Sequence, residues 1–292
     1  MMKKILYIAS LLLVITSGSL IYNYINTPKI SVIMLTYKRA EVMPRALESI
    51  LNQTYKDFEL IIINDGSPDN TDLVIKKYLK DPRIRYYKNK KNQGIAYSRN
   101  IGFNIAKGKY IAIMDDDDYA LPQRLEKQLT YLENTPKIDA LAGQIKHLPR
   151  IPRTHDEIAT GLILYNNFGN SNIMYKRAFA QKHNITYDES LIVSEDWDYW
   201  LNMLFNGAKF ASIADDILER DGASIKHYKA QNYEEGNPKI REKIGKFLSS
   251  SDDANNFYNA TPCQKIMQID AKNIFSKEYV KTLLQSNKCP TN

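Results

Sequence analysis

The 292 residues carry 40 basic and 33 acidic side chains, a net charge of +7, with 43% hydrophobic and 25% charged residues. This composition excludes a disordered chain and leaves room for one large α/β domain with short extensions. The basic excess is mostly lysine, which suits phosphates or an anionic membrane surface. No zinc-finger spacing or RNA-binding aromatic signature is present, so no nucleic-acid partner is expected.

In chain order, Lys3 and Lys4 precede a run from Ile5 to about Ile25 that carries no charge. Some twenty helical residues at roughly 1.5 Å each span about 30 Å, one hydrocarbon core. Ser17, Gly18 and Ser19 offer a small-residue cleavage site, but the apolar run continues through Leu20, Ile21 and Tyr22. The reading is therefore an uncleaved, single-pass N-terminal anchor and a membrane location. The positive-inside rule places the N-terminus in the cytoplasm; two lysines are few, so the side of the membrane is left open.

After a linker at Asn26, Thr27 and Pro28, a β/α alternation begins. Ile30 to Thr36 reads as a strand, and Glu41 to Gln53 as a helix with Val42, Ala46, Leu47, Ile50 and Leu51 on one side. Phe58 to Asn64 is apolar on both faces, as a buried parallel strand requires. A turn at Asp65 to Pro68 leads to a helix capped by Asp69 or Asn70 and ending near Leu79. Strand Ile84 to Tyr87, helix Ile95 to Ala106 and strand Tyr110 to Met114 follow, then a helix with Pro122 near its start. This alternation predicts a doubly wound, mostly parallel sheet flanked by helices, preceded by the one transmembrane helix. Beyond residue 138 the pattern loosens. Short strands are expected around Ala140 and Ile173, and a helix from Glu195 to Phe205 carries Trp197, Trp200, Leu201 and Leu204 on one stripe. The tail from about Gln231 is Lys-rich and helical in pattern.

Ligands of such sheets bind at the carboxyl ends of the strands. Asp115, Asp116, Asp117 and Asp118 stand directly after the fourth strand. In an extended segment they would alternate, Asp115 and Asp117 on one side, Asp116 and Asp118 on the other. Packed carboxylates repel unless a cation compensates, and Mg²⁺ or Mn²⁺ commonly bridge one or two of them to substrate phosphates. Asp65 ends the second strand, placed either to accept from a nucleotide base or ribose or to cap the turn. Gly94 permits close backbone approach, and Arg99 offers a charge for a diphosphate. Glu195 and Asp196 open a helix, where acidic residues suit the dipole; a general base is the functional alternative. Cys263 and Cys289 match no metal or redox spacing.

In order, these segments resemble glycosyltransferase family 2, inverting enzymes of the GT-A fold. The resemblance is carried by Ile30 to Tyr37 (ISVIMLTY), Ala46 to Tyr55 (ALESILNQTY) and Phe58 to Ser67 (FELIIINDGS). It continues through Asn92 to Gly94, Ser98 to Gly102 (SRNIG), Gly108 to Asp118 (GKYIAIMDDDD), Leu121-Pro122, and Tyr187 to Leu191 leading to Glu195 to Trp200 (EDWDYW). It implies that Thr36, Tyr37, Asp65, Gly94, Arg99, Asp115 and Asp116 lie on the donor side. Asp117 would be the metal ligand, with Mn²⁺ or Mg²⁺ as cofactor, and Asp196 the catalytic base. The implied activity is non-processive transfer of a hexosyl or N-acetylhexosaminyl group. The donor would be a nucleotide sugar, expected to be a UDP sugar, and the acceptor a hydroxyl of a glycan, lipid-linked or protein acceptor. The alternatives are a nucleotidyltransferase making sugar nucleotides, or a degenerate GT-A binding protein. Leu35 stands where the family usually has Pro, Lys38 where it has Asn, and Asn64 where Asp is common. His227 is a weaker candidate for a further metal ligand. The expected organisation is an anchor and linker over 1–28, a catalytic domain over 29–228 and a mainly helical extension over 229–292.

Overall fold

The computed structural model describes residues 27–164, 166, 168–220, 238–250 and 260–286. The predicted anchor and His227 lie outside the described residues, among which no helix is long and apolar enough to cross a membrane.

Eight strands form one sheet: β1 (Ile30–Thr36), β2 (Phe58–Asn64), β3 (Ile84–Lys88), β4 (Tyr110–Asp115), β5 (Asp118–Ala120), β6 (Ala140–Ile145), β7 (Ile173–Lys176) and β8 (Phe210–Arg220). Their order is β3-β2-β1-β4-β7-β6-β8-β5. The first four pair in parallel. β7 runs antiparallel to both β4 and β6, β8 returns parallel to β6, and β5 closes the edge antiparallel to β8. The sheet is thus mixed, with a parallel half where the sequence alternates strand and helix. The described helices are α1 (Met43–Leu51), α2 (Thr71–Lys76), α3 (Ile95–Ile105), α4 (Arg124–Asn134), α5 (His155–Leu164), α6 (Arg177–Lys182), α7 (Glu195–Phe205), α8 (Pro238–Ser249), α9 (Pro262–Ala271) and α10 (Lys277–Ser286).

Alternation along the strands divides the core between two faces. Ile33, Ile61 and Ile63 point to the face covered by α3, α5 and α7. Val32, Met34, Leu60 and Ile62 point to the face covered by α1 and α4. Both faces are covered, which is why the strands read as unbroken apolar runs; each such side chain contributes roughly 1.5–3 kcal/mol by burial. Ile240 and Ile244 of α8, Ile266 of α9 and Val280 of α10 join the first of these clusters, so the C-terminal helices share the core of the sheet.

One buried cation shapes the middle of the sheet. The β4–β7 ladder stops at Ala112 and Met174. Beyond it, Arg124 Nη2 donates to Ile113 O at 2.8 Å and to Ile173 O at 3.4 Å. The guanidinium, fully buried, thereby satisfies carbonyls that separating strands would leave orphaned. The separation admits a one-turn 3₁₀ segment, Asn170–Asn172, between β4 and β6. Burial lowers the Arg124 pKa to about 10, against the raising effect of Asp118 and Asp115 above it.

Candidate active site

The register aligns Thr36 with Asn64, and Leu35 with Asp115, so β1, β2 and β4 end at one level. The residues that follow converge on a cleft of about 830 Å³, lined by Thr36, Tyr37, Asp65, Gly94, Arg99, Asp115, Asp116 and Asp117, with Arg39 among the others. Every predicted donor-side residue, and Asp117 as the predicted metal ligand, therefore lines a single cleft. Asp196 is not among its lining residues and connects to it at one remove.

Asp65 is buried, and its carboxylate is already engaged. Oδ1 accepts from Asn89 Nδ2 at 2.7 Å and Gln93 N at 2.9 Å, and Oδ2 from Gly94 N at 2.9 Å. It holds the loop that carries Gly94 against the end of β2. Gly66 makes that approach possible: at φ +69°, a Cβ there would lie 2.4 Å from the carbonyl carbon of Lys91. Lys38 adopts φ 56°, a left-handed conformation that Asn tolerates better than Lys. That is a physical reason for the Asn usual at this position in the family. Asn64, in place of the common Asp, donates to Asp72 Oδ1 at 3.1 Å and Tyr86 Oη at 2.9 Å and accepts from Ser67 N at 2.9 Å, pinning the turn.

The acidic run departs from the extended alternation predicted for it. Asp115 ends β4, Asp116 and Asp117 form a turn, and Asp118 begins β5. Asp116, expected on the donor side, and Asp118 are the buried members, at 8% and 2% exposure. Closing the chain onto the edge strand turns these two carboxylates inward. Burial pushes both up to about 7; Asp115 adds to the rise of Asp118, and Arg220 at 3.6 Å opposes it. Asp116 Oδ2 is buried without a hydrogen-bond partner. Asp117 is partly exposed and lies 3.5 Å from Arg39 Nη1.

Among the described residues, no three His, Cys, Asp or Glu side chains converge as a complete metal cage. The acidic turn nevertheless fits a hard divalent cation: its donors are all carboxylate oxygens, and one buried oxygen lacks a partner. A cation held by one or two carboxylates would complete its shell with ligand oxygens.

Arg99, predicted to counter a diphosphate, is buried with its charge already matched. It donates to Glu195 Oε1 and, at 3.4 Å, to Asp115 Oδ1, and its guanidinium lies 5.3 Å from the Tyr187 ring centroid. Burial would lower its pKa, but Glu195, Tyr187 and Asp115 raise it on balance. Asp196 enters the first turn of α7 after Ser194, which is left-handed at φ 65°. Its Oδ1 accepts from Trp197 N at 2.7 Å and its Oδ2 from Asn170 Nδ2 at 3.2 Å. Burial, then Glu195, raises its pKa to about 6, against the lowering effect of Arg99. A carboxylate with a pKa just below neutrality is suited to remove a proton. Arg39 and Asn170 had not been picked out as functional, and Glu195 only jointly with Asp196 as a general-base alternative. Only Glu195, beside Asp196, carried a sequence signal; the 3₁₀ turn is too short for any periodicity.

A nucleotide-sized cleft at the carboxyl edge of an α/β sheet, with an acidic turn on one side and a raised carboxyl beyond, defines the GT-A architecture. The model of the family described as Glycosyl transferase family 2 matches residues 31–193, and the chain belongs to that family, the nucleotide-sugar-dependent glycosyltransferases. This sets the nucleotidyltransferase alternative aside. An uncharacterised glycosyltransferase of Methanocaldococcus jannaschii is 39% identical over 208 residues, 66% of this chain and 71% of its own length. The chain spans 60% of the length of a second uncharacterised relative, from Haemophilus influenzae, at 32% identity. The UDP-Glc:alpha-D-GlcNAc-diphosphoundecaprenol beta-1,3-glucosyltransferase WfaP of Escherichia coli is 32% identical over 62% of this chain and 72% of its own. Among solved structures, S. aureus TarS in complex with UDP-GlcNAc superposes with TM-score 0.62 at 17% identity, covering 87% of this chain and 83% of that one. A mannosyltransferase of Pyrobaculum calidifontis in complex with GDP-Man and Mn²⁺ superposes with TM-score 0.56 at 15% identity, covering 96% and 85%. These likenesses establish the fold.

Proposed function

We propose that this chain is an inverting, non-processive transferase that moves a hexosyl or N-acetylhexosaminyl group from a UDP sugar to an acceptor hydroxyl. Asp117 would hold a divalent cation, with Asp115 and Asp116 beside it; when bound, the cation neutralises charge developing on the donor diphosphate. Asp196 takes the proton of the acceptor hydroxyl. The acceptor oxygen bonds to the anomeric carbon as the bond to the diphosphate oxygen breaks, and the electron pair leaves with the nucleotide. Tyr37 and the Asp65-held Gly94 loop face the nucleotide end of the cleft.

The observation that carries this reading is Arg99. One buried guanidinium contacts Asp115 at the acidic turn and Glu195 beside the base, holding the two halves of the chemistry at a set separation. UDP-sugar use by WfaP and the UDP-GlcNAc and Mn²⁺ complexes of the structural neighbours agree with the donor and the cation. The diphosphoundecaprenol acceptor in the WfaP name makes a lipid-linked glycan the first acceptor to try, ahead of a free glycan or protein. Residues 5–25 would keep the domain at the membrane where such an acceptor resides, with catalysis confined to residues 29–228 and residues 229–292 as an extension.

The test is nucleotide release from a panel of UDP, GDP and dTDP sugars with Mn²⁺, with Asp196→Asn and Asp117→Ala as controls. Release from UDP sugars alone, lost in both variants, is expected. Full activity in either variant would remove that residue from its role, and preferential use of GDP or dTDP sugars would overturn the donor assignment.

A further inference from the structure

The 3₁₀ turn Asn170–Asn172 touches both sides of the site through neighbouring residues. Ser171 Oγ accepts the backbone N–H of Asp115 at 2.9 Å, while Asn170 Nδ2 donates to Asp196 Oδ2 at 3.2 Å. The turn is itself braced from two directions. Asn172 Nδ2 donates to Gly143 O at 2.9 Å, and Gln128 Nε2 of α4 donates to Asn172 O at 2.9 Å. All three residues of the turn are buried, at 6%, 0% and 0% exposure.

This is a costly arrangement unless it serves a purpose. A buried amide with one pole unsatisfied forfeits the hydrogen bond that pole would make to water, and Asn170 Oδ1 is buried with no partner. Covalent geometry keeps that oxygen within about 5 Å of the Asp196 carboxylate, because both poles belong to one small amide. A free acceptor atom beside a carboxyl that receives protons is placed for a hydroxyl. Asp196 also feels Glu195 from its own helix, Arg99 from α3 and Asp115 from β4. Among the described residues, Asn170 is one of two groups that hydrogen-bond its oxygens directly, the other being the backbone N–H of Trp197.

We infer that Asn170 is a positioning residue for the general base: its Nδ2 fixes the rotation of the Asp196 carboxylate, and its Oδ1 accepts a hydroxyl of the incoming acceptor. With Ser171 holding Asp115, the turn carries the base and the donor-side strand end on adjacent residues. The inference rests on Asp196 being the base, and its test separates the two.

The full chain, purified in detergent, is compared as wild type, Asn170→Ala, Asn170→Ser and Asp196→Asn. The Asp196 carboxyl resonance is assigned in ¹³C-aspartate-labelled protein by its loss in Asp196→Asn, and is titrated with pH. UDP binding with Mn²⁺ is measured by calorimetry, and hydrolysis is followed on the most reactive UDP sugar. Removing a donor to the charged form raises the carboxyl pKa, so the Asn170→Ala midpoint should move up. Its kcat should fall roughly ten- to a hundredfold, with KM and UDP·Mn²⁺ affinity within about twofold of wild type, and Asn170→Ser should recover part of the loss. An unmoved midpoint in Asn170→Ala would overturn the inference even if hydrolysis were too slow to follow. So would an unchanged kcat, or a loss of UDP·Mn²⁺ affinity as large as the loss of rate. An inactive Asp196→Asn beside a fully active Asn170→Ala would leave the base in place and remove only Asn170. Full activity in Asp196→Asn would remove both.

Discussion

Replacing Asp196 by Asn keeps the shape of the side chain and removes its ionisation, which separates what this carboxyl does for stability from what it does for chemistry. Its pKa is raised from 3.8 to about 6, first by burial and then by Glu195. Between those two values the folded protein holds a proton that the unfolded chain has released, so this group's contribution to stability falls as pH rises through the window. Above pH 6 the folded state carries the full cost of a crowded carboxylate, on the order of 3 kcal/mol from the difference in pKa, trimmed by partial solvent access to about 1–2 kcal/mol. Asn carries no such cost. Asp196→Asn should therefore melt about 2–8 °C above wild type at pH 8, taking about 2–4 °C per kcal/mol for a domain of this size. The gap should close at pH 4. Asp116 and Asp118 titrate in both proteins and cancel in the comparison. The same substitution should cost at least about a hundredfold in transfer. Calorimetric melts at pH 4, 6 and 8, run with EDTA, provide the check. A variant no more stable than wild type at pH 8, or equally stabilised at pH 4, would refute the electrostatic reasoning.

Because the base works ionised, kcat/KM in the wild type should rise through an acid limb near pH 6 and level off above it, which a pH–rate profile of nucleotide release will reveal. Asp117→Ala should weaken UDP binding with Mn²⁺ about tenfold or more and leave metal-free stability within about 0.5 kcal/mol, read by calorimetry and by melting. Gly66→Ala forces a methyl group against the Lys91 backbone at positive φ. It should destabilise the fold by about 2–4 kcal/mol, measured by urea unfolding, and weaken UDP binding by displacing the loop that Asp65 holds.

How much of this could be read before folding depends on the range of the interactions involved. β1, β2 and α7 begin and end where their residue patterns predict, because two-sided burial and helical spacing are written locally. β8, the eleven-residue strand Phe210–Arg220, and α5 were not anticipated. In β8, Ala214, Asp215 and Asp216 interrupt the alternation where the ladder with β6 shifts register. In α5, Ile158, Ala159, Leu162 and Ile163 are buried on one face, but Gly161 and the exposed Leu164 stand on the other side, which blurs the contrast along its sequence. The acidic run was legible as a site but not in its shape: a charge count cannot say that Asp118 enters an edge strand whose partner, Arg220, lies a hundred residues on.

The sequence by itself determined the parallel half of the sheet and the placing of Tyr37, Asp65 and Asp115 at its carboxyl edge. Each of these follows from short-range pattern and from which strands the helices can connect. Only the tertiary structure decided how the charges are shared. Arg99 is bound between Asp115 and Glu195, Arg124 donates to the Ile113 and Ile173 carbonyls where the β4–β7 ladder stops, and Asp116 is turned into the interior. Charges choose partners by distance and burial, and contacts between residues 99 and 195 or 170 and 196 exist only once the sheet and α7 have packed.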